Sequence, residues 1–218
     1  MKYIIYLLLA LGGYLLFSDL YHNRALPEPK AAATAPASSG MPTDHDVHTD
    51  TLNRLDEAIE AHPDRADLRA RRGTFYLTMG RPTEALSDFD SAIEMEPENP
   101  ELLTARASAY RAMGQTDPAL EDLVRALDLD PQDHGALFTR AAIFYSQERF
   151  QEAAKDYDTV IADSPELAIA YFNRAHVWRM LNDRSLAEAD IERYIELTPD
   201  EERKAQAKTL LEQWTEEP

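Results

Sequence analysis

The 218-residue chain carries 40 Asp and Glu against 22 Lys and Arg, a formal net charge of −18, nearly all of it beyond residue 48. A surface that acidic repels a phosphate backbone, which argues against nucleic acid as a direct partner, although the same charge also serves simply to keep a protein soluble. With no Cys in the chain, disulfides, Cys-ligated zinc, thiol nucleophiles and a lipid-modified Cys anchor are all excluded.

Residues 3–17 read YIIYLLLALGGYLLF, without a charge, between Lys2 and the closing Ser18 and Asp19. As a helix this run covers about 22 Å, short of the ~30 Å hydrocarbon core. Leu20 and Tyr21 extend it, and Lys2 can snorkel outward. Two readings compete. A cleaved signal peptide fits the run length but needs small residues soon after it, and the nearest, around Ala33 and Ala37, lie far downstream. An uncleaved anchor fits that spacing better, so residues 1–21 are read as an N-terminal transmembrane signal anchor. The expected protein is single-pass, in a bacterial inner membrane with the remainder periplasmic. Lys2 favours that orientation, and Arg24 and Lys30 on the other flank weaken it. A soluble periplasmic protein released by cleavage is the alternative.

Residues 22–48, with four Pro among Ala, Ser and Gly, read as a flexible linker that cannot bury enough apolar surface to fold. Within it Asp44, His45, Asp46 and His48 place metal-ligand types close together. A floppy site must overcome its own ordering entropy, so no metal site is assigned. Residues 49–65 then give one amphipathic helix, with Leu55 and Ala58 on its apolar face.

From here the chain repeats. Pro63, Pro97, Pro131, Pro165 and Pro199 stand 34 residues apart. They delimit four units, 66–99, 100–133, 134–167 and 168–199. A small residue recurs in the first half of each (Gly73, Ala107, Ala141, Ala175), followed three residues later by an aromatic (Tyr76, Tyr110, Phe144, Trp178). The second half repeats Ala85, Ala119, Ala153 and Ala187, then Phe89, Leu123, Tyr157 and Ile191, then Ala92, Ala126, Val160 and Tyr194. Spacings of three and four put these on one helix face, with small residues for close approach and large ones to fill between pairs. Each unit is therefore a helix, a tight turn and a second helix that the proline ends. Gly80 and Gly114 supply the turn in the first two units, whereas Glu148 and Asn182 stand there in the others. Val160 and Tyr194 in place of the last Ala lead us to expect looser or differently angled stacking towards the C-terminus. Residues 200–218 read as a capping helix, with Asp200 as its N-cap and Ala207, Leu211 and Trp214 as its apolar stripe.

The pattern Gly73-x2-Tyr76, Ala85-x3-Phe89 and Pro97 resembles the tetratricopeptide repeat, and residues 66–199 carry four copies in phase. The resemblance implies an all-α solenoid of antiparallel helix hairpins between a capping half-repeat and a solvating C-terminal helix. It also implies a concave face lined by first helices that cradles a peptide or protein partner. The residues expected to line it are Thr74 and Leu77; Ser108 and Arg111; Phe138 and Tyr145; and Phe172, Asn173, His176 and Arg179. Packing between helices is the alternative for Phe138 and Phe172. Chaperone-binding members grip a C-terminal carboxylate with a Lys/Asn clamp. The corresponding positions here hold Ala70, Thr74 and Thr104, so that clamp is not expected.

One further column is charged. Arg72, Arg106, Arg140 and Arg174 precede the small positions, and Asp88, Asp122, Asp156 and Asp190 follow sixteen residues later. Pairing across each hairpin by guanidinium–carboxylate forks is the expected role, and Arg lining a ligand groove the alternative. No Gly-rich phosphate loop, G-x-S-x-G or H-E-x-x-H occurs, so no catalytic residue, cofactor or small-molecule substrate is assigned. The reading is of a non-enzymatic scaffold or adaptor in an envelope-associated assembly.

Overall fold

The computed structural model describes residues 44–216; the proposed anchor and most of the proposed linker lie outside them. Ten helices make up the described residues: α1 (Asp44–Ala61), α2 (Ala66–Thr78), α3 (Pro82–Met95), α4 (Pro100–Ala112), α5 (Thr116–Leu129), α6 (His134–Ser146), α7 (Phe150–Asp163), α8 (Ala168–Met180), α9 (Arg184–Leu197) and α10 (Glu201–Glu216). None of these is long and apolar enough to cross a membrane. Helix α1 begins at Asp44, so the Asp44–His48 run starts a helix, and His48 packs edge-on against Phe75 of α2 with ring centroids 5.6 Å apart. Among the described residues no group of three metal-ligating side chains comes together.

The prolines set the helix ends. Pro63, Pro97, Pro131, Pro165 and Pro199 each stand two residues beyond a last helical residue, where they bar continuation. Local caps then start several helices. The Asn99 side chain accepts from the backbone N–H groups of Glu101 and Leu102, Asp133 from that of Ala136, and Asp183 from that of Leu186. Asp200 accepts from Glu202 and Arg203 at the head of α10. Within a unit the turn needs one residue at positive φ. Gly80 and Gly114 take it at 68° and 74°, and Glu148 and Asn182 take it at 60°. Asn tolerates that region through its short polar side chain; Glu148 carries the steric cost.

The helices alternate direction and pack as hairpins, α2 on α3, α4 on α5, α6 on α7 and α8 on α9. Successive first helices also touch, α2 with α4 and α4 with α6, while successive second helices make no comparable contact. The stack therefore curves with its first helices on the inner side. The small column permits the close approach: Gly73 has the Phe89 ring against it, and Ala107, Ala141 and Ala175 are fully enclosed. Ala85, Ala119, Ala153 and Ala187 are likewise buried beside Phe89, Leu123, Tyr157 and Ile191.

The C-terminal units are not loose. Val160 is completely enclosed, and Tyr194 packs on Phe172 with ring centroids 4.9 Å apart. The larger side chains fill the space that Ala leaves elsewhere. Instead of loosening the stack, they accompany a division of the core. One continuous cluster runs through the first three units into the fourth, and a second joins Ala175, Ala187, Ile191 and Tyr194 to Ala207 and Trp214 of α10.

Candidate functional site: the concave face

Two sets of polar residues distinguish this stack, one binding the hairpins together and one facing the inner curve. The first is a ladder. Each Arg of the charged column lies on a first helix and forks onto the Asp sixteen residues later. Arg72 donates from Nε and Nη2 to Asp88 at 2.8 and 2.6 Å, Arg106 to Asp122 at 2.7 Å twice, Arg140 to Asp156 at 2.9 and 2.6 Å, and Arg174 to Asp190 at 2.8 and 2.7 Å. The Asp carboxylates are almost fully enclosed. Three of the guanidinium groups do more. Nη1 of Arg72, Arg106 and Arg174 reaches back to Asp56, Asp90 and Asp158 on the preceding second helix, at 2.6, 2.8 and 2.6 Å. In Arg72 and Arg106 the hydrogen bonds to the enclosed carboxylates are the largest effect and, with the outer ones, raise the guanidinium pKa against burial; in Arg174 burial pulls hardest, and the bonds and charges of Asp190 and Asp158 together outweigh it.

This outer column was readable in the sequence and was missed: Asp56, Asp90 and Asp158 lie sixteen residues before their Arg and share the 34-residue register. Its third place holds Val124, which is 48% exposed, and Arg140 there pairs with Asp156 alone. Burial raises the Asp156 carboxyl above its ordinary value against the opposing pull of Arg140. The seam between units two and three is tied differently, by the Thr104 hydroxyl donating to Asp133 at 2.8 Å. Val124→Asp should complete the ladder and stabilise the fold by about 0.2–1 kcal/mol, the range for half-exposed pairs. Urea unfolding checks it, and a destabilised variant would show that the fourth rung cannot form.

The second set faces the inner curve. Leu77, Ser108, Arg111, Phe172 and Arg179 are partly exposed, whereas Thr74, Phe138, Tyr145, Asn173 and His176 are buried. Phe138 sits in the core, edge-on to Tyr157 at 5.3 Å, and Tyr145 packs edge-on to Phe150 at 5.4 Å. Thr74 and Thr139 turn their hydroxyls back to their own helix, donating to the carbonyls of Ala70 and Gly135. In the fourth unit helix α10 covers the row: Trp214 lies edge-on to His176 at 5.4 Å, and the Arg179 guanidinium stands 5.2 Å over the same indole.

Between these ends lies a polar centre drawn from three units. Arg111 of α4, Tyr157 of α7 and Asn173 of α8 meet there. The Arg111 side chain is partly exposed, but its Nε is buried and makes no hydrogen bond; the enclosed Asn173 amide, 1% exposed, reaches the Tyr157 hydroxyl without a well-formed hydrogen bond. Burial lowers the Arg111 pKa, with only the Tyr157 phenol opposing, and burial also pushes that phenol well up. Tyr157 is a second-helix residue that the sequence reading placed in the core and not beside the groove.

His176 lies in the same row. Its Nδ1 is 2.9 Å from the Phe172 carbonyl, which can only accept, so Nδ1 carries the proton. Burial lowers its pKa more than that hydrogen bond raises it. Below the ordinary value of about 6.5 the unfolded chain takes up a proton that the folded chain refuses, so stability falls with acidification, by up to about 1.4 kcal/mol per pH unit. His176→Phe should flatten that part of the pH–stability profile between pH 7 and 5. An unchanged slope would show that another group sets it.

The hairpin stack, its 34-residue register and its inner row of first helices coincide with one family. The tetratricopeptide repeat matches residues 76–143 in one of its forms and residues 49–102 and 141–202 in another, the second covering more than half of the chain. The chain belongs to the tetratricopeptide repeat family. No curated protein sequence matches it.

Solved structures show the same fold. The tetratricopeptide repeat chain is 19% identical to MamA, with a TM-score of 0.61 over 74% of this chain and 92% of that one. Against YrrB, described as a TPR protein with an unusual peptide-binding site, identity is 23% and the TM-score 0.58, over 76% and 85% of the two chains. Against PilF of Pseudomonas aeruginosa identity is 21% and the TM-score 0.62, over 72% and 68%. At these identities the likeness is one of fold. Tetratricopeptide repeat modules are, in general, non-enzymatic scaffolds that bind protein or peptide partners.

Proposed function

We propose that the chain is a membrane-tethered scaffold that recruits a protein or peptide partner into its concave face, within an envelope-associated assembly. One observation carries the binding reading. The columns that build the stack repeat from unit to unit, but the inner row does not: Leu77, Arg111, Tyr145 and Arg179 share one register position, and Thr74, Ser108, Ala142 and His176 another. Stacking imposes no such variety, and the partly exposed members of the row, Leu77, Ser108, Arg111, Ala142 and Arg179, give a ligand a surface that changes along its length. Arg and Tyr are among the types that dominate interface energetics. The YrrB description shows that a solenoid of this fold can hold a peptide. The tether rests on residues 1–21, and the acidic exterior favours free suspension from the membrane over adhesion to anionic lipid.

The binding test uses changes that obstruct the face and leave the core intact. Ala112 is exposed and Ala142 partly so. Full-length protein is purified in mild detergent from its native membranes beside Ala112→Trp and Ala142→Trp. Partners that follow the parent and are lost from both variants support the reading, and an unchanged set of partners would sink it. Mass determination of the mature N-terminus tests the tether. Loss of residues through about the linker would replace it with the soluble periplasmic adaptor or holdase.

A further inference from the structure

The outer side of the stack is sealed unevenly. At three junctions the outer Asp column bridges it, with Asp56, Asp90 and Asp158 on Nη1 of Arg72, Arg106 and Arg174. Between units two and three that bridge is missing. Val124 holds the Asp place and is 48% exposed, and Arg140 keeps Nε and Nη2 on Asp156 with no carboxylate at Nη1. Two further features meet at this junction. Leu129, at the end of the same helix α5, is 46% exposed, so α5 carries two of the five large apolar side chains left exposed among the described residues. Just beyond it a cavity of about 250 Å³ opens, lined by Gln132, His134, Leu137, Thr159, Ala162 and Asp163. Its polar end is held by Asp163, which accepts from the Gln132 amide at 2.8 Å and stands 2.9 Å from Nε2 of His134. Cavity and open rung lie on one line. In the α6–α7 hairpin Leu137 comes three residues before Arg140 and Thr159 three after Asp156, so both place the cavity about one helical turn, ~5 Å, from the rung.

We propose that this outer seam between units two and three is a second docking surface, independent of the concave face, for a segment of a protein partner that seats a carboxylate on Arg140 Nη1 and an apolar side chain, about one turn away, in the cavity. The sister rungs supply the reason for a carboxylate: each holds one at the corresponding Nη1, at 2.6, 2.8 and 2.6 Å, from a residue sixteen places before the Arg. Here the chain supplies none, and a partner can complete the same charge-assisted hydrogen bond. Arg140 is partly exposed and can be hydrated in the free protein, so the carboxylate serves mainly to fix register. Affinity comes from covering Val124 and Leu129 and from filling the cavity against Leu137 and Ala162. Arg125 of α5 and Lys155 of α7, both exposed, lessen the repulsion that an acidic exterior offers an incoming carboxylate.

The test uses Val124→Asp, which places a carboxylate of the chain itself where the partner's would sit. Random 16-residue peptides displayed on phage are selected on the full-length protein in detergent and depleted on Val124→Asp, and a synthetic copy of a recovered peptide is used for affinity measurement. Recovered sequences should share an acidic residue with an apolar one three or four places away. Val124→Asp should weaken binding at least tenfold while leaving the protein as stable as the parent or more so. Exchange of the peptide's acid for its amide should weaken binding to a similar degree, and the two changes together should weaken it little further. Ala162→Trp, at an exposed position of the cavity wall, should also abolish binding, whereas Ala142→Trp on the concave face should leave it unchanged. Failure to recover any peptide that separates the parent from Val124→Asp would overturn the site, as would recovered peptides without an acid. A peptide lost on Ala142→Trp and retained on Val124→Asp would overturn it as well and would support the concave face. Should Val124→Asp fail to fold, Ala162→Trp and the amide peptide decide alone: unaltered affinity in both would overturn the site.

Discussion

Arg106→Met should lower the unfolding free energy by about 3–5 kcal/mol, the cost of removing one partner from a buried ion pair. The Asp122 carboxylate is 5% exposed and receives two guanidinium hydrogen bonds from Arg106, so the variant strands an enclosed charge. Asp90, the third partner, is 47% exposed and returns to water without penalty. Asp90→Ala should therefore cost only about 0.2–1 kcal/mol, and the contrast separates the inner fork from the outer contact. Arg106→Met with Asp122→Leu should recover most of the loss, because an apolar pair of similar volume carries no desolvation cost. Urea unfolding followed by helical ellipticity measures all four proteins. If Arg106→Met and Asp90→Ala were alike, burial of the inner carboxylate would not be the cause.

Phe89→Ala should destabilise by about 3–5 kcal/mol, the range for emptying a large aromatic site in a close-packed core. The ring is fully enclosed, and its Cε1 lies 2.8 Å from where a Cβ on Gly73 would stand. No real Cβ tolerates that distance to a ring, so one unit closes to its observed spacing only because Gly73 has no side chain. Gly73→Ala gains about 1 kcal/mol of helix propensity and loses about 1–3 kcal/mol to overpacking, and a net loss is expected. In a Phe89→Leu background the same change should cost less, since the obstructing ring atoms are gone. Equal costs in the two backgrounds would show that the ring is not what Gly73 accommodates.

Much of the architecture was legible before any coordinates. Prolines every 34 residues mark where second helices stop, and that is a local effect: a ring without an N–H ends a helix in any context. The small columns report that helices approach closely there, because only Gly, as at Gly73, or Ala leaves room. The outer Asp column at Asp56, Asp90 and Asp158 was equally local in its spacing, and so was its interruption at Val124. That column is harder to see than the inner one, because Val124 interrupts it and its first member, Asp56, lies in the half-repeat before the first complete unit.

The character of the inner face was not legible to the same degree. Register places Phe138, Tyr145 and His176 on the groove side of their helices, but the angle between successive hairpins decides that their side chains are enclosed, and no single unit contains that angle. Tyr157 belongs by register to the hairpin interior, and its phenol reaches Arg111 and Asn173 only because three units converge on it. The terminal helix is a similar case. Its stripe of Ala207, Leu211 and Trp214 announces an apolar partner, while the closure of the fourth unit by Trp214 over His176 and Arg179 depends on the pose of α10. By itself, then, the sequence determined the repeat, its hairpins and its helix ends, because these follow from backbone sterics and from contacts within one period. Only the tertiary structure decided which inner-face residues are covered and that Arg111 pairs with none of the described carboxylates, because burial and pairing there are set by distances between residues of different units.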